Sequence, residues 1–406
     1  MHQSPAAMRL KTRVIIVGGG PVGLTTALAL ASADGKAQDP GSLGQPSKPR
    51  KQSRSQGPLR LGRSSSDPEQ PIPPLLEALY HRFSDEAKAR ILTNKEVVAI
   101  EEEQDRVRVQ CSDGTVEHGS MIIGADGVHS TVRKHIRKLV LEEDPAADVD
   151  AESSFLTTYR VLFGSAPKTD DFAEGYLYET HGSNGCTQCH VARQTVWFFV
   201  YEMLDKPTKS PPSYTQKDAD ECAARWADRH VTGKVRLKDI YARRYASGRT
   251  NIEEGTLKRW NWKQMVLVGD VVHKMSPNAG PGYDLGVRDV VFLVNSLCRL
   301  LESGSKIDTE SLQAVFEDAQ TQAMGFVKLV SALSAMSLRF CFWQTWYSWY
   351  LDHFVARLID LDYYVNAYII GRHVRRSPVL DWLPENHPRF GSMPCTYFPK
   401  VKTATR

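Results

Sequence analysis

The chain has 406 residues, of which 41% are hydrophobic and 24% charged. That composition can fill a sizeable core, which excludes a chain disordered throughout, and the length predicts two or three domains. The net charge of +4, from 51 basic and 47 acidic residues, does not favour nucleic-acid binding. The seven cysteines are scattered, and no apolar signal core precedes the first glycines, so we expect a cytoplasmic protein rather than a secreted one.

The first predicted elements are a strand, a glycine turn and a helix. Val14–Val17 is a short apolar run, typical of a parallel strand buried on both faces. Gly18, Gly20 and Gly23 follow in the pattern Gly-x-Gly-x-x-Gly, and residues 24–31 then carry apolar side chains at helical spacing. Such a turn lets backbone approach a pyrophosphate at a helix N-terminus, which favours anions. The pattern predicts a dinucleotide site, with a ligand-free glycine turn as the alternative.

The next segment, 32–74, differs in composition. It is rich in Ser, Pro, Gly, Gln and basic residues and has few apolar side chains to bury, which predicts disorder or a solvated loop. A dinucleotide fold places a ribose-binding acidic residue about 20 residues after the glycines, at the end of a second strand. Asp34 and Asp39 are available, but no apolar strand leads to either. The sequence therefore predicts that this strand is missing.

Ordered elements return after this segment. A helix is predicted near 75–83, where apolar residues have helical spacing. Strands are predicted at 96–101, 106–111 and 120–124, which alternate or run continuously in apolar residues. The last of these strands is apolar throughout, as expected for a buried parallel strand.

The second half of the chain changes character twice. Residues 151–257 contain strand-like runs and few helical stripes, which predicts a second, sheet-rich domain. A buried strand is predicted at 264–269, followed by a helix with one apolar face. Residues 308–372 have a helical and very aromatic pattern.

Two further motifs close buried strands and open helices. Asp126 and Gly127 lie in the run Gly-Ala-Asp-Gly-Val-His-Ser, and Asp270 begins a longer run that ends in Gly280 and Gly282. A carboxylate at a strand end can accept hydrogen bonds from sugar or ribitol hydroxyls. Glycines let backbone approach a flat ring, and the positive end of the following helix would stabilise negative charge on that ring.

The three motifs, in this order, resemble those of flavin-dependent monooxygenases of the para-hydroxybenzoate hydroxylase type. The run His-Lys-Met-Ser-Pro-Asn-Ala-Gly after Gly-Asp, and the strand-like run 158–164, look similar to fungal FAD-dependent epoxidases of terpenoid biosynthesis. The resemblance implies an α/β fold with a Rossmann-like FAD-binding domain, an inserted β-rich substrate domain and a helical C-terminal region. The implied division is 9–31, 75–150 and 258–303 for the FAD-binding domain, 32–74 for the low-complexity segment, 151–257 for the substrate domain and 304–406 for the C-terminal region.

The resemblance also implies cofactors and chemistry. FAD and NADPH would be the cofactors, and one atom of O2 would be transferred to an alkene of a prenylated small molecule in secondary metabolism. Arg160 and Tyr178 are the candidate catalytic residues, because similar proteins place an Arg and a Tyr on the substrate-domain sheet. Hydroxylation of an aromatic ring and a non-catalytic flavoprotein remnant are the alternatives. No metal site is predicted.

The sequence departs from this family at three places. The second strand with its acidic residue is absent, and Pro71–Pro74 stands where an arginine normally opens the next helix. Tyr283 and Asp284 replace the family's Ala-Asn pair, and a tyrosine there is expected to crowd the edge of the isoalloxazine ring. We therefore expect the chain to retain FAD weakly.

Two other patterns allow more than one interpretation. Cys186-x-x-Cys189-His190 matches a haem-attachment motif, but without an export signal we interpret these as substrate-domain residues beside a turn. The sequence contains no run of about 18 uncharged apolar residues, so it does not predict an ordinary membrane-spanning helix. The aromatic run 340–350, within 326–371, predicts either peripheral membrane association or packing on the FAD-binding domain or a dimer partner.

Overall fold

The computed structural model describes residues 12–36, 74–356, 358–359 and 364–382. The strands are β1 (Val14–Val17), β2 (Val97–Glu103), β3 (Arg106–Cys111), β4 (Val116–Gly119), β5 (Met121–Gly124), β6 (Leu156–Pro167), β7 (Leu177–Thr180), β8 (Cys186–Val191), β9 (Thr195–Thr208), β10 (Ala246–Thr256), β11 (Asn261–Trp262), β12 (Met265–Leu267) and β13 (His273–Lys274). The α-helices are α1 (Pro21–Lys36), α2 (Pro74–Tyr80), α3 (Asp85–Lys88), α4 (Thr131–Glu143), α5 (Gln216–Arg225), α6 (Leu237–Tyr241), α7 (Gly282–Ser303), α8 (Thr309–Cys341), α9 (Trp346–Tyr350) and α10 (Gly371–Val374). Short 3-10 turns lie at Gly269–Val271 and Pro277–Ala279, and π-helical turns at Leu351–Val355 and Val365–Ile370.

The first sheet has four strands in the order β1-β5-β12-β11. β1, β5 and β12 are parallel, and Ile15 pairs with Ile122. One face packs against α1, α7 and α8, and the other against α4 and a three-stranded sheet of β2, β3 and β4. Helices on both sides of parallel strands bury both faces, which explains why these strands are apolar throughout. The predicted α/β fold is confirmed.

β1 forms one edge of this sheet. Among the described residues no strand pairs with the free side of β1, which is where the predicted missing strand would lie. α1 continues to Lys36, so the start of the segment 32–74 is helical rather than disordered, and Ala33 still packs against the core beside the sheet. Residues 37–73 lie outside the described part of the chain.

The second sheet has six antiparallel strands in the order β13-β10-β6-β9-β8-β7. Five of these strands fall within residues 151–257, which were predicted to be sheet-rich. The sixth, β13, comes from the first domain, and its His273 pairs with Thr256. One face of the sheet packs against α5 and α6, and the opposite face against the end of α8. The two domains are therefore joined by a shared sheet edge.

Helix α8 connects the two cores. By length and composition alone it could cross a membrane, although the sequence predicted no spanning helix. Its buried side chains recur every three or four residues and contact the cores of both domains, as in a helix that packs along one face. They are Leu312, Phe316, Ala319, Ala323, Val327, Val330, Ser334, Leu338 and Cys341.

Candidate functional site

The three fingerprint glycines form a tight turn between β1 and α1. Gly18 has a φ of +122°, and an ideal Cβ there would lie 2.2 Å from the carbonyl oxygen of Ala125. A Cβ at Gly23 would lie 2.0 Å from the carbonyl oxygen of Gly18. At Gly20 no atom of another described residue, apart from its chain neighbours and its own helix backbone, lies within 4 Å of the Cβ position. Two glycines thus allow strand and helix to pack closely, and the third borders open space at the helix N-terminus, as a bound pyrophosphate requires.

Asp126 is occupied by the helix that follows it. Its carboxylate accepts the Ser130 hydroxyl at 2.6 Å and the backbone N–H groups of Thr131 and Val132 at 2.7 and 3.2 Å. A carboxylate at a helix N-terminus stabilises the helix dipole and satisfies its free donors. The structure therefore gives Asp126 a capping role, next to Gly127 with its φ of +76°.

Arg133 ties this loop to the other strand-end loop, a link that sequence reasoning missed. Its guanidinium donates to the carbonyl oxygen of Val271 at 3.0 Å and also to that of Val128. Arg133 lies three residues after the Gly-Ala-Asp-Gly-Val-His-Ser run, and this position was the only available signal.

Asp270 lies at the edge of the open space. Its side chain is 41% exposed and pairs with that of Lys274, four residues further along the chain. The nearest protein atom to a Cβ at Gly282 is Oδ1 of Asp270, at 3.9 Å. Asp270 therefore retains an accessible carboxylate at the strand end, where hydroxyls of a bound nucleotide could donate to it.

A buried ion pair holds the loop that carries Asp270. Oδ2 of Asp289, on α7, accepts the backbone N–H of Gly269 at 3.0 Å and lies 2.7 Å from Nε2 of His273. Burial alone would lower the pKa of His273, but the adjacent carboxylate outweighs it and raises the pKa above its usual value. Sequence reasoning did not select either residue.

The glycine-rich turn before α7 is fastened to α8. The Asn278 amide donates to the Ser337 hydroxyl at 3.0 Å, and the Ser276 hydroxyl lies 3.1 Å from that of Ser334. Gly280 has a φ of +72°, and within the part of the chain that the structure describes no atom beyond its two neighbours lies within 4 Å of its Cβ position. The turn thus has one anchored side and one open side, which suits backbone approach to a planar ring.

Tyr283 bridges the starts of two helices. Its hydroxyl lies 2.9 Å from Oγ1 of Thr25 on α1. The Thr25 hydroxyl itself donates to the Pro21 carbonyl at 2.8 Å, so Tyr283 is the donor. The side chain was expected at the edge of the ring, whereas here it spans from α7 to the first turns of α1. It brings the two helix N-termini together beside the open space.

The two candidate catalytic residues lie on the face of the second sheet that packs against α5 and α6. Nε of Arg160 lies 2.9 Å from Oε2 of Glu202, which also pairs with Arg225 and Arg249. The Tyr178 hydroxyl accepts the backbone N–H of Ala173 at 3.1 Å, and its ring packs against the core of that face. These contacts give both side chains structural partners and do not place them with the glycine-rich turn.

The opposite face carries the side chains that reach this turn. Phe163, Phe199, Gln188 and Glu179 pair in register across β6, β9, β8 and β7, and we call them the glutamine row. The Gln188 amide donates to the Asn278 carbonyl at 3.0 Å. The glutamine row therefore connects the sheet directly to the turn that precedes α7, a connection that the sequence alone did not indicate.

The neighbouring row on this face is aromatic and apolar. Ser165, Trp197, His190 and Leu177 pair in register, and we call them the tryptophan row. Trp197 is 42% exposed and Leu177 49% exposed. Together with Phe163 of the glutamine row, they leave an apolar surface open on the face from which Gln188 reaches the turn.

The Cys-x-x-Cys-His motif does not converge on one ligand. Cys186 faces the end of α8, whereas Cys189 packs in the core on the α5 side. Successive side chains of a strand point to opposite faces of the sheet, so side chains three residues apart also point to opposite faces. The motif follows the turn at 183–185, as expected for ordinary substrate-domain residues.

A polar cluster lies at the end of the glutamine row. Nδ1 of His181 lies 3.0 Å from Oδ1 of Asp352, and its Nε2 lies 3.9 Å from Oε2 of Glu179. Burial alone would lower the pKa of His181, but its contacts with Cys341 and the two carboxylates raise it to about 11. This cluster joins β7, α8 and the turn at Leu351–Val355.

We call the turns at Gly20 and Gly280, the Asp270 loop and the two helix N-termini beside them the cradle. The fold and the cradle together define a dinucleotide-binding α/β protein with an attached substrate sheet. The family model described as the FAD binding domain matches residues 68–314, more than half of the chain. The chain therefore belongs to this family. The open spaces at Gly20 and Gly280, the paired helix N-termini and the accessible Asp270 carboxylate fit its cofactor, FAD.

Comparisons with known proteins agree with this assignment. The FAD-dependent monooxygenase spyC of Aspergillus fumigatus is 32% identical over 267 residues, which cover 61% of this chain and 54% of that protein. The FAD-dependent monooxygenase ausM of Emericella nidulans is 31% identical over 252 residues, covering 60% and 52%. A solved salicylate hydroxylase substrate complex has a TM-score of 0.60 at 16% identity and covers 92% of this chain and 100% of its own, which shows the fold. The chain spans about half the length of the curated relatives it matches.

Proposed function

We propose that this chain forms the cofactor and substrate site of an FAD-dependent monooxygenase that uses NADPH and O2. We propose further that it transfers one oxygen atom to an alkene of an apolar, prenylated small molecule. The monooxygenase class is supported by the names of the relatives and by the match to the FAD binding domain family. The apolar substrate is supported by one observation above all, the exposed aromatic surface beside the glycine-rich turn.

The residues of the cradle would bind and orient the cofactor. FAD, when bound, supplies the electron transfer and the oxygen activation, and the protein supplies binding and orientation. Gly20 borders the space for the diphosphate at the start of α1, and Asp270 offers an acceptor for hydroxyls. The N-terminus of α7 directs its free N–H groups toward the turn with Gly280, where they would stabilise negative charge.

The aromatic surface would hold an apolar chain without a charged partner. Phe163, Trp197 and Leu177 expose large apolar side chains. Phe163 lies in the same row as Gln188, and the other two lie in the adjacent row. Each CH₂ buried there contributes about 0.8 kcal/mol, so a prenyl unit gains several kcal/mol from the surface alone. An alkene has no ionisable group, so binding would depend on this apolar contact.

Product analysis with a prenylated and a phenolic substrate tests the proposal against ring hydroxylation. Epoxide formed only from the prenylated compound supports it, and a hydroxylated phenol as the main product contradicts it. Trp197→Ala should raise KM for the prenylated substrate about tenfold, as loss of an aromatic contact removes more than 1 kcal/mol. Tyr245→Ala is the matched control, since Tyr245 is an exposed aromatic residue outside the two rows.

The visible spectrum tests the alternative of a non-catalytic remnant. Bound flavin absorbs near about 450 nm. A chain that shows no such band and no NADPH oxidation with FAD in excess would not be a flavoenzyme, which would overturn the proposal.

We also propose that the chain associates peripherally with the cytoplasmic face of a membrane. After α8 the described residues form short helical turns that leave many large apolar side chains exposed, Leu358 to 84% and Trp346 to 79%. Trp and Tyr are enriched at membrane interfaces, and the exposed Arg372 and Arg376 would favour anionic lipid. We call these residues the aromatic surface patch: Trp346, Tyr347, Trp349, Tyr350, Phe354, Leu358, Ile359, Tyr368, Ile369 and Val374.

Vesicle sedimentation measures this association. The chain should pellet with phosphatidylcholine vesicles that contain phosphatidylserine, and Trp346→Ala combined with Leu358→Ser should abolish pelleting. Tyr176→Ala, an exposed tyrosine outside the patch, should have no effect. A dimer that buries the patch and leaves the chain unbound to vesicles would contradict the proposal.

A further inference from the structure

Three potential metal ligands converge where the end of α8 meets the substrate sheet. Glu179 lies on β7, His181 follows its last residue, and Cys341 is the last residue of α8. A carboxylate oxygen, an imidazole nitrogen and a thiol sulfur from these residues all lie within 4.8 Å of one another. Cys341 lies far in sequence from Glu179 and His181, and no known role of the cofactor cradle requires it to meet them.

The imidazole already has the orientation of a metal ligand. Nδ1 of His181 lies 3.0 Å from the Asp352 carboxylate, whereas its Nε2 is buried and has no hydrogen-bond partner among the described residues. A carboxylate on one ring nitrogen orients the ring, so that the other nitrogen can coordinate a metal once its proton is released, an arrangement common around zinc. The backbone is also held, since Arg229 donates to the His181 carbonyl at 2.6 Å.

The remaining carboxylate oxygens of Asp352 and Glu179 accept hydrogen bonds from side chains outside the cluster. Oδ2 of Asp352 accepts the Trp343 indole N–H at 2.7 Å. Oε1 of Glu179 accepts the Gln188 amide, so its Oε2 is the oxygen left facing the imidazole. Each side chain therefore presents one remaining atom to the same point.

Charge and geometry favour Zn²⁺ at that point. Metal binding would release the protons of the His181 imidazole and the Cys341 thiol. The resulting thiolate, carboxylate and neutral imidazole carry two negative charges, which a divalent cation balances. Tetrahedral zinc with bonds of about 2.0–2.3 Å places its ligand atoms roughly 3.3–3.7 Å apart. His181 Nε2 and Glu179 Oε2 are 3.9 Å apart, and no pair of the three ligand atoms is more than 4.8 Å apart, so an inward shift of at most about 1 Å brings them to zinc-binding separation. Three protein ligands also leave a fourth position for water.

We propose that Glu179, His181 and Cys341 bind a zinc ion, with Asp352 as the positioning residue of His181. The ion would fasten the end of α8 to β7, and through Gln188 it would steady the glycine-rich turn. The sequence predicted no metal site, because its one cysteine motif contributes none of these ligands. The proposal does not depend on the flavin chemistry.

Metal content of the full chain tests the proposal. The chain is loaded with Zn²⁺ and freed of unbound metal. Its zinc content per chain is then measured by elemental mass spectrometry. The parent should hold stoichiometric zinc, and His181→Gln and Cys341→Ser should lose it. Asp352→Asn should retain the fold and weaken zinc binding about 10–100-fold. Cys189→Ser and His190→Gln are matched controls from the neighbouring motif and should retain zinc.

Cobalt gives a direct view of the ligands. The difference spectrum of the Co²⁺ form against the Zn²⁺ form should show tetrahedral d–d bands and a thiolate charge-transfer band that Cys341→Ser removes. Circular dichroism establishes that each variant is folded. Zinc absent from the loaded parent, or zinc lost from the Cys189 and His190 variants instead, would overturn the proposal.

Discussion

At the scale of single residues, the most consequential side chain of the substrate domain is Glu202. It is almost fully buried and pairs with Arg160, Arg225 and Arg249, and it also accepts the Trp226 indole N–H at 2.8 Å. Burial alone would raise its pKa, but these partners outweigh it and lower the pKa to about 2. The cluster adds charge pairing to the apolar packing that holds α5 against the sheet.

Replacing this carboxylate should therefore destabilise the domain. Glu202→Gln leaves Arg249, whose side chain is 6% exposed, without its anion, and breaking such a buried pair costs about 3–5 kcal/mol. Urea unfolding at neutral pH measures the loss. Glu174→Gln, whose pair with Arg193 is exposed, should change stability by less than about 0.5 kcal/mol. Equal stabilities for the two variants would contradict this role.

The pH dependence has a definite sign. The pKa of Glu202 is lower in the folded chain than the value of about 4.3 in an unfolded one. Its stabilising contribution is therefore complete above about pH 4.3 and is lost as the pH falls toward 2, in total about 3 kcal/mol. The parent should lose stability more steeply than Glu202→Gln across that window, and parallel profiles would show that the carboxylate is not strongly paired.

Arg160 allows a structural role to be separated from a catalytic one. Because its guanidinium lies on the face away from the glutamine row, Arg160→Met should lower the unfolding free energy by about 1 kcal/mol. With FAD in excess, kcat should stay within about twofold of the parent, whereas loss of a catalytic group costs about 10²–10⁴-fold. A large fall in kcat without a change in stability would restore the catalytic interpretation.

At the scale of elements, α7 positions the cofactor loop as well as the helix N-terminus. Asp289 on α7 holds both Gly269 and His273 and is itself buried. The loop that presents Asp270 thus depends on a contact made two turns into the next helix.

Asp289→Asn should loosen that loop. The amide keeps the shape but removes the charge beside His273, so we expect FAD to bind about tenfold more weakly, or about 1.4 kcal/mol. Fluorescence titration with FAD measures the affinity. Asp318→Asn, on the exposed side of α8, is the control and should leave the affinity unchanged. Equal affinity in both variants would mean that the ion pair serves stability alone.

The parts of the fold that follow local patterns were predictable. Apolar runs such as Val14–Val17 predicted the parallel strands, because burial on both faces requires them to be apolar throughout. Gly18 and Gly23 predicted the tight turn, because no larger residue fits there. These patterns depend on neighbours in sequence, so the sequence alone carries them.

The parts that depend on distant partners were not predictable. Arg160 and Tyr178 were placed in the correct sheet, but the face depends on which helices cover it. The pair of His273 and Asp289, and the bridge from Tyr283 to Thr25, join residues whose proximity only the packing of α1 and α7 establishes. No local pattern records such contacts.

At the scale of the whole molecule, the flavin site draws on elements from both domains. The shared edge of β10 and β13, the helix α8 and the contact from Gln188 to Asn278 connect the substrate sheet to the cofactor loop. The turns at Gly20 and Gly280 leave open space on the diphosphate side and on the ring side of the cradle. Its ribose side, next to β1, is the part for which the sequence supplied no acidic strand end.

The chain should therefore purify largely free of flavin. A site without the ribose carboxylate and the helix arginine lacks two charge-assisted hydrogen bonds, each contributing about 1.5–3 kcal/mol, which weakens binding by about two to four orders of magnitude. Asp270→Ala should remove the remaining flavin and keep the thermal transition of the apo chain, whereas Asp228→Ala, at an exposed carboxylate of the substrate domain, should change neither. Adding a strand that ends in Glu after Ala31, together with an Arg at position 73, should raise the FAD content measured by absorbance. A stoichiometric yellow protein from the unaltered chain would show that other residues supply the missing contacts.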